Sequence, residues 1–192
     1  ILDTKLAAVT PRPQTTRNRI FGIFDREDAQ IVFQDTPGLL EPRDSLHQFM
    51  MKEANSAIED ADLAVWLIDS IKGITPKEFA IAEKSLHNLQ IPLFIVFNKV
   101  DKVPLPERKT LESSLQNLSI PTHTKVFYIS ALHGDGVNSL LNQIIQQLPE
   151  GPKFYPPDQL SDRTIRFFVE ELIRERAFLL LQQEIPYSLA VK

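Results

Sequence analysis

The chain has 192 residues, 43% of them hydrophobic, a formal net charge of -4 and no cysteine. The acidic balance gives no global pull toward nucleic acid or an anionic membrane, so any such contact has to be local; the lack of cysteine excludes disulfides and thiolate metal sites and fits a reducing compartment. The length suits one domain with a small appendage or one large domain, and the longest apolar runs, LAVWLI and IPLFIVF, are far too short to span a bilayer.

In chain order, ILDTKL reads as the last turn of a helix. AAVTPRPQTTRNR, with two prolines and three arginines, reads as a loop. IFGIF and AQIVFQ are strand-like runs on either side of the polar turn DREDA, which predicts a hairpin. In DSLHQFMMKEANSAIEDA the residues Leu46, Met50, Ala54, Ala57 and Ala61 recur at helical spacing. DLAVWLID is the next strand. TPKEFAIAEKSLHNL predicts a helix with Thr75 as cap, Pro76 at the first helical position and Glu78 completing a capping box; Phe79, Ala82, Leu86 and Leu89 line one face. IPLFIVF then predicts a buried strand, closed by Pro104 and Pro106. ERKTLESSLQNL predicts a helix, KVFYIS a strand, and GVNSLLNQIIQQLP a last helix with Val137, Leu140, Leu141, Ile144, Ile145 and Leu148 on one stripe. This alternation predicts βαβ units and a parallel sheet with helices on both faces. PEGPKFYPPDQ is a proline-rich connector. SDRTIRFFVEELIRERAFLLL predicts a long amphipathic helix with Ser161 as its cap, and PYSLAVK begins like a strand.

Ligands of parallel sheets sit beyond the carboxyl ends of the strands, and three motifs fall there. In QDTPG, a carboxylate leaving a strand, Asp35, can hold Mg2+ through water, and Gly38 lets a backbone N–H approach a phosphate. The same residues also suit a plain turn. In NKVD, Asp101 can accept the side-by-side N1–H and 2-amino hydrogens of guanine. Adenine offers neither, and a buried polar site of this kind discriminates by roughly 10⁴-fold. The Asn98 amide can bond the base edge and brace neighbouring loops, and the Lys99 stem can lie over the base plane; alone, the four residues equally fit a strand-ending turn with a solvated Lys–Asp pair. In ISAL, the small residues Ser130 and Ala131 let the Ala131 N–H reach a base carbonyl, though an ordinary strand exit reads the same way. Arg12, Arg17 and Arg19 fit a solvated loop face better than a phosphate or RNA contact. His47, His87, His123 and His133 share no spacing and no carboxylate partner in sequence, and read as surface or packing residues.

Together the three motifs follow three predicted strands in the order that GTP-binding domains use. The sequence resembles the translation-factor-like GTPases and, more closely, the Era family, through PRPQTTRNRI, DTPGL, FNKVD, ISAL and the segment SDRTIRFFVEELIRERAFLLLQQEIPYSLAV. The resemblance implies a P-loop GTPase-type α/β fold followed by the start of a small α+β KH-type RNA-binding domain, divided as residues 1–149, a linker 150–160, and 161–192. It implies that Thr16, rather than Thr15, contacts Mg2+ and the γ-phosphate, that Asp35 is a water-mediated Mg2+ ligand, and that Gly38 contacts the γ-phosphate. The implied GTP-binding set is Thr16, Asp35, Thr36, Pro37, Gly38, Leu39, Asn98, Lys99, Val100, Asp101, Ser130, Ala131 and Leu132. Leu39 stands where many GTPases place a Gln that orients the attacking water. The resemblance predicts Leu there, so hydrolysis has to rely on other groups, such as a potassium ion or a phosphate-loop side chain, and no catalytic base is assigned. It further implies a GTP-hydrolysing switch that binds small-subunit ribosomal RNA and assists 30S subunit assembly, in the cytoplasm, with a loose association with the inner membrane.

The G-x-x-x-x-G-K-[ST] loop that holds α- and β-phosphates is not in the sequence. Six glycines are about half of what the usual ~7% supplies. No G-x-x-G RNA clamp follows the long helix. The chain therefore reads as cut at both ends. A nucleotide-incompetent scaffold for RNA or protein, or a sibling GTPase acting on tRNA or the large subunit, are the alternatives. Residues 10–18 and 38–48 are expected to be mobile switches.

Overall fold

A computed structural model describes residues 1–2, 6–7, 19–36, 44–86, 89–116, 118–121 and 123–180. The chain divides into two compact units that follow contacts rather than chain order. One combines residues 1–38, 42–57 and 152–192; the other combines 39–41 and 58–151.

The first unit is built on an antiparallel hairpin, β1 (Ile20–Arg26) and β2 (Ala29–Asp35), paired from Ile20↔Asp35 to Arg26↔Ala29. The expected turn over 25–29 shrinks to Glu27 and Asp28, because Asp25 and Arg26 stay in the ladder. Ile20, Ile23 and Ile31 are buried, and because Ile23 pairs with Val32 while Ile31 pairs with Phe24, the hairpin buries residues on both of its faces. At Gly22 an added Cβ would sit 2.6 Å from the Leu2 side chain and 3.1 Å from that of Leu6, so the glycine is what lets the opening segment lie close against β1.

Helix α1 (Ser45–Glu59) buries Met50, Ala54 and Ala57. Asp44 caps it, its carboxylate accepting the His47 N–H at 2.9 Å.

The proline-rich connector cannot extend a ladder, and it is held largely by side chains instead. Gln30 Oε1 accepts the Phe154 and Tyr155 N–H groups, both at 2.9 Å, while its Nε2 donates to the Tyr155 carbonyl and to Asp25. Lys153 reaches Asp25 at 3.2 Å, and the Ile23 N–H donates to the Leu160 carbonyl at 2.9 Å.

Helix α5 (Ile165–Leu180) follows. Its cap is Thr164 rather than Ser161, the residue expected from sequence: the Thr164 carbonyl and hydroxyl accept the Phe168 and Phe167 N–H groups. Ser161 Oγ instead donates to the Phe21 carbonyl at 2.5 Å. Along α5 a Glu171–Arg174 ion pair is buried together with Phe178. The expected strand at 186–192 and most of the two expected switch segments lie outside the described residues.

The second unit is a parallel sheet in the order β3 (Ala64–Asp69), β4 (Leu93–Asn98), β5 (Lys125–Ile129). Helix α2 (Pro76–Leu86), a single 3-10 turn at Val100–Lys102, α3 (Leu105–Ser113) and α4 (Val137–Ile145) complete it. Strand β4 is central, and Leu93 through Phe97 are all 0% exposed, which is why it reads as an unbroken apolar run. On one face Ile68, Leu93, Ile95 and Phe97 pack in one cluster with Ala82 and Leu86 of α2 and with Leu115 and Leu118. On the other face Phe94 lies 4.9 Å from Phe127, and Lys125 reaches across to Gln143 of α4 at 2.8 Å. Helices thus lie on both faces, the arrangement of the P-loop GTPase fold. Helix α3 starts two residues before its expected start, because Pro104 and Pro106 stand at its cap and second position rather than merely closing the strand. No helix among the described residues is long and apolar enough to cross a membrane.

Candidate functional site

In the second unit the three parallel strands end side by side at Asp69, Asn98 and Ile129, and polar residues begin there at once. The Asn98 side chain ties two loops together. Its Oδ1 accepts the Lys99 N–H at 2.8 Å and the Ala131 N–H, from the loop after β5, at 2.9 Å. The first of these bonds supports an unusual backbone: Lys99, with φ 67°, is the only non-glycine residue with positive φ among those described. The bend swings the chain into the 3-10 turn. There Val100 is 4% exposed and joins the core, so it anchors the turn rather than facing solvent.

Asp101 is the charged centre of the turn. Its Oδ1 accepts the Ser130 hydroxyl at 2.7 Å, and Ser130, wholly buried, also accepts the His133 N–H at 3.3 Å. Oδ2 stands 3.8 Å from both Lys102 Nζ and His133 Nε2. The Ser130 hydrogen bond holds the Asp101 carboxyl below its usual range; burial opposes it, and a backbone hydrogen bond and the charges of His133 and Lys102 add to it. The group is therefore an ionised, acceptor-only carboxylate near neutrality, suited to two parallel N–H donors.

Ser130 to Gly136 form a closed loop, with Ser130 N–H bonded to the Asp135 carbonyl and Gly134 N–H to the Ser130 carbonyl. Gly136 closes it at φ 73°, and a Cβ there would fall 2.4 Å from the Tyr128 carbonyl oxygen. Leu132 projects from the loop at 79% exposure.

Lys99 Nζ donates to Asp69 Oδ2 at 2.8 Å. Burial works to raise the Asp69 carboxyl, but hydrogen bonds from Lys99 and from the Ile71 N–H together outweigh it, and its pKa is lowered. Asp69 was not singled out in sequence, and His133 was read only as a surface or packing residue. Asp69 had one signal: it ends the strand next in order to NKVD. His133 and His47 do have carboxylate neighbours, Asp101 at 3.8 Å and Asp44 at 2.8 Å, contrary to the expectation from spacing alone.

In the first unit Asp35 ends β2 with an exposed carboxylate, and Thr36 follows it. Thr16, Pro37, Gly38 and Leu39 lie outside the described residues. No cluster of three metal-ligating side chains occurs among the described residues. A hard-oxygen carboxylate such as that of Asp35 fits Mg2+, which keeps several waters and uses one or two carboxylates plus phosphate oxygens.

A family described as 50S ribosome-binding GTPase matches residues 1–99. The GTPase Era of Carboxydothermus hydrogenoformans is 38% identical over 192 residues, covering all of this chain and 63% of that protein. The GTPase Era of Thermotoga maritima is 38% identical over 191 residues, again with 63% of its length covered. Among solved structures, Era in complex with MgGDPNP and nucleotides 1506–1542 of 16S ribosomal RNA superposes with a TM-score of 0.89 at 33% identity, over 97% of this chain and 63% of that one. An Aquifex aeolicus Era variant bound to GDP.AlF4- gives 0.85 at 33% identity, with the same shares covered. The chain thus spans about 63% of the length of the curated relatives it matches.

Proposed function

The chain belongs to the family of 50S ribosome-binding GTPases, and on that premise we propose that it is one of the Era GTPases it resembles, binding and hydrolysing GTP as a switch acting on small-subunit ribosomal RNA in 30S assembly. The observation that carries this reading is the Asp101 carboxylate. It is kept ionised by Ser130 and stands beside the Asn98 bracket that joins the β4 and β5 loops. Asp101 accepts the N1–H and 2-amino hydrogens of guanine, Asn98 bonds the base edge, the Lys99 stem covers the base plane, and the Ala131 loop lies at its carbonyl side. Asp35 and Thr16 hold Mg2+, and Gly38 takes the γ-phosphate. The cation, when bound, offsets charge on the phosphate oxygens. Because Leu39 cannot orient water, hydrolysis would rely on other groups, such as a potassium ion or a side chain of a phosphate-binding loop.

The Era structure with bound 16S ribosomal RNA supports the RNA partner. We assign residues 1–149 to nucleotide binding, 150–160 to a linker and 161–192 to the beginning of a KH-type domain, in a cytoplasmic protein with loose inner-membrane contact. The test is competition against fluorescent GDP. GTP and GDP displace the probe, while ADP at a hundredfold excess does not; equal displacement by ADP removes the guanine reading. A gel shift with the 3′ segment of small-subunit rRNA, with and without a GTP analogue, tests the RNA partner separately.

A further inference from the structure

We propose that Asp69 is a positioning residue for the guanine nucleotide, which fixes the Lys99 side chain across the strand ends before the base arrives. The proposal rests on the guanine reading above and adds a residue that the three motifs do not contain.

Lys99 is held at both ends. Its backbone is set in the left-handed region, with its N–H on Asn98 Oδ1 at 2.8 Å, and its Nζ is set on Asp69 Oδ2 at 2.8 Å. Asp69 is itself rigid. It stands in register with Asn98 on the neighbouring strand, its Oδ1 accepts the Ile71 N–H at 2.9 Å, and its carbonyl accepts the Lys72 and Gly73 N–H groups. Adjacent strands lie about 4.8 Å apart, so a stem tethered from one to the next runs across the carboxyl edge of the sheet, where ligands of parallel sheets bind. The methylene stem presents apolar surface to a base plane while the ammonium stays paired. An untethered lysine would lose its rotamer freedom on binding; the pair removes that freedom beforehand. The lysine side chain is 52% exposed and that of Asp69 only 22%, so the carboxylate is the fixed partner and the lysine the one being held.

The test uses the protein as its gene encodes it. GDP titrations are run on the unaltered protein, Asp69→Asn, Lys99→Met and the double variant, with Asp69→Glu as a second probe. The Asn side chain keeps an Oδ1 for the Ile71 N–H, and Met keeps the apolar stem without its charge. Exposed ion pairs are weak, so Asp69→Asn is expected to raise the GDP Kd about three- to fivefold at low salt, and less at high salt. In the Lys99→Met background the same change is expected to do less than about 1.5-fold. Asp69→Glu recovers part of the loss. The preference for GDP over IDP, which lacks the 2-amino group that Asp101 reads, stays the same throughout. An Asp69→Asn loss of equal size without the lysine would make Asp69 a turn brace and overturn the proposal. So would unchanged or tighter GDP binding in Asp69→Asn. ADP competing as well as GDP against the unaltered protein would instead remove the guanine reading, and this proposal with it, before any variant is compared.

Discussion

Replacing the Asp101 carboxylate by an amide exchanges one of its two acceptors for a donor. Guanine presents two donors on that edge, whereas xanthine presents one donor and, at C2, an acceptor. Asp101→Asn is therefore expected to weaken GDP binding by about 10²- to 10⁴-fold and to strengthen XDP binding, read by competitive titration of the two diphosphates. Ser130 acts on the same carboxylate at one remove. Its hydroxyl is the largest cause of the lowered Asp101 pKa. Guanine binding needs the ionised form, so it is kept above the carboxyl's pKa and lost as pH falls through it. Ser130→Ala raises that pKa back toward the ordinary 3.8, and the loss moves to higher pH; GDP Kd measured from about pH 3 to 6 checks the direction, and identical pH profiles would reject the coupling. The placement of Asn98, Asp101 and Ser130 together at the strand ends was legible in sequence because each follows an apolar strand by a fixed step. Asp69 and His133 were not. The lysine–aspartate contact joins residues 30 apart in sequence through strand register, and His133 meets Asp101 only because the loop through Gly134 and Gly136 folds back.

At the scale of elements, local chemistry was read well where it is self-contained. The Thr75–Glu78 capping box forms as expected: Thr75 N–H and hydroxyl donate to Glu78 Oε2 at 2.9 and 2.7 Å, and Glu78 N–H donates to Thr75 Oγ1 at 3.2 Å. Thr75→Ala is expected to cost about 0.5–2 kcal/mol of stability, measured by urea denaturation. Ser161 offered the same kind of signal and misled, since a distant partner, the Phe21 carbonyl, competes for its hydroxyl and leaves the cap to Thr164. Strand β4 is the opposite case, because its stability is wholly tertiary. Phe97 is 0% exposed and lies 5.5 Å from Tyr128, ring to ring. Phe97→Ala is expected to cost about 3–5 kcal/mol. It should also loosen the Asn98 bracket that follows in the chain, so GDP affinity falls with it. A variant that melts within a degree of the parent would deny β4 this central role.

For the whole molecule, the alternation of strands and helices made the α/β class legible, but the path of the connector was hidden. A stretch reading PEGPKFYPPDQ signals a tether; contacts from distant residues, Gln30 at 125 positions from Tyr155 together with Lys153 to Asp25, turn it into a strap along the hairpin. The distribution of carboxylates ties both units to one solution variable. Asp25, Asp28 and Asp44 in the first unit and Asp69 and Asp101 in the second all have pKa values lowered from the ordinary 3.8. A carboxyl that is more acidic in the folded chain than in the unfolded one binds fewer protons when folded, so stability rises with pH through that range. The contribution is complete above the unfolded value of 3.8 and is lost as pH falls through the lowered folded values. Hence Tm is expected to be level above about pH 5 and to drop progressively below about pH 4. The ligand sharpens the test. GDP raises Tm only while it binds the folded state, and Asp101 has to stay ionised to hold it. The GDP-induced rise in Tm is therefore expected to shrink across the same acid range in which unliganded stability falls, since Asp101 is one of the carboxylates that titrate there. A GDP shift that persists undiminished while unliganded Tm falls with acid would place the base-reading charge somewhere other than Asp101.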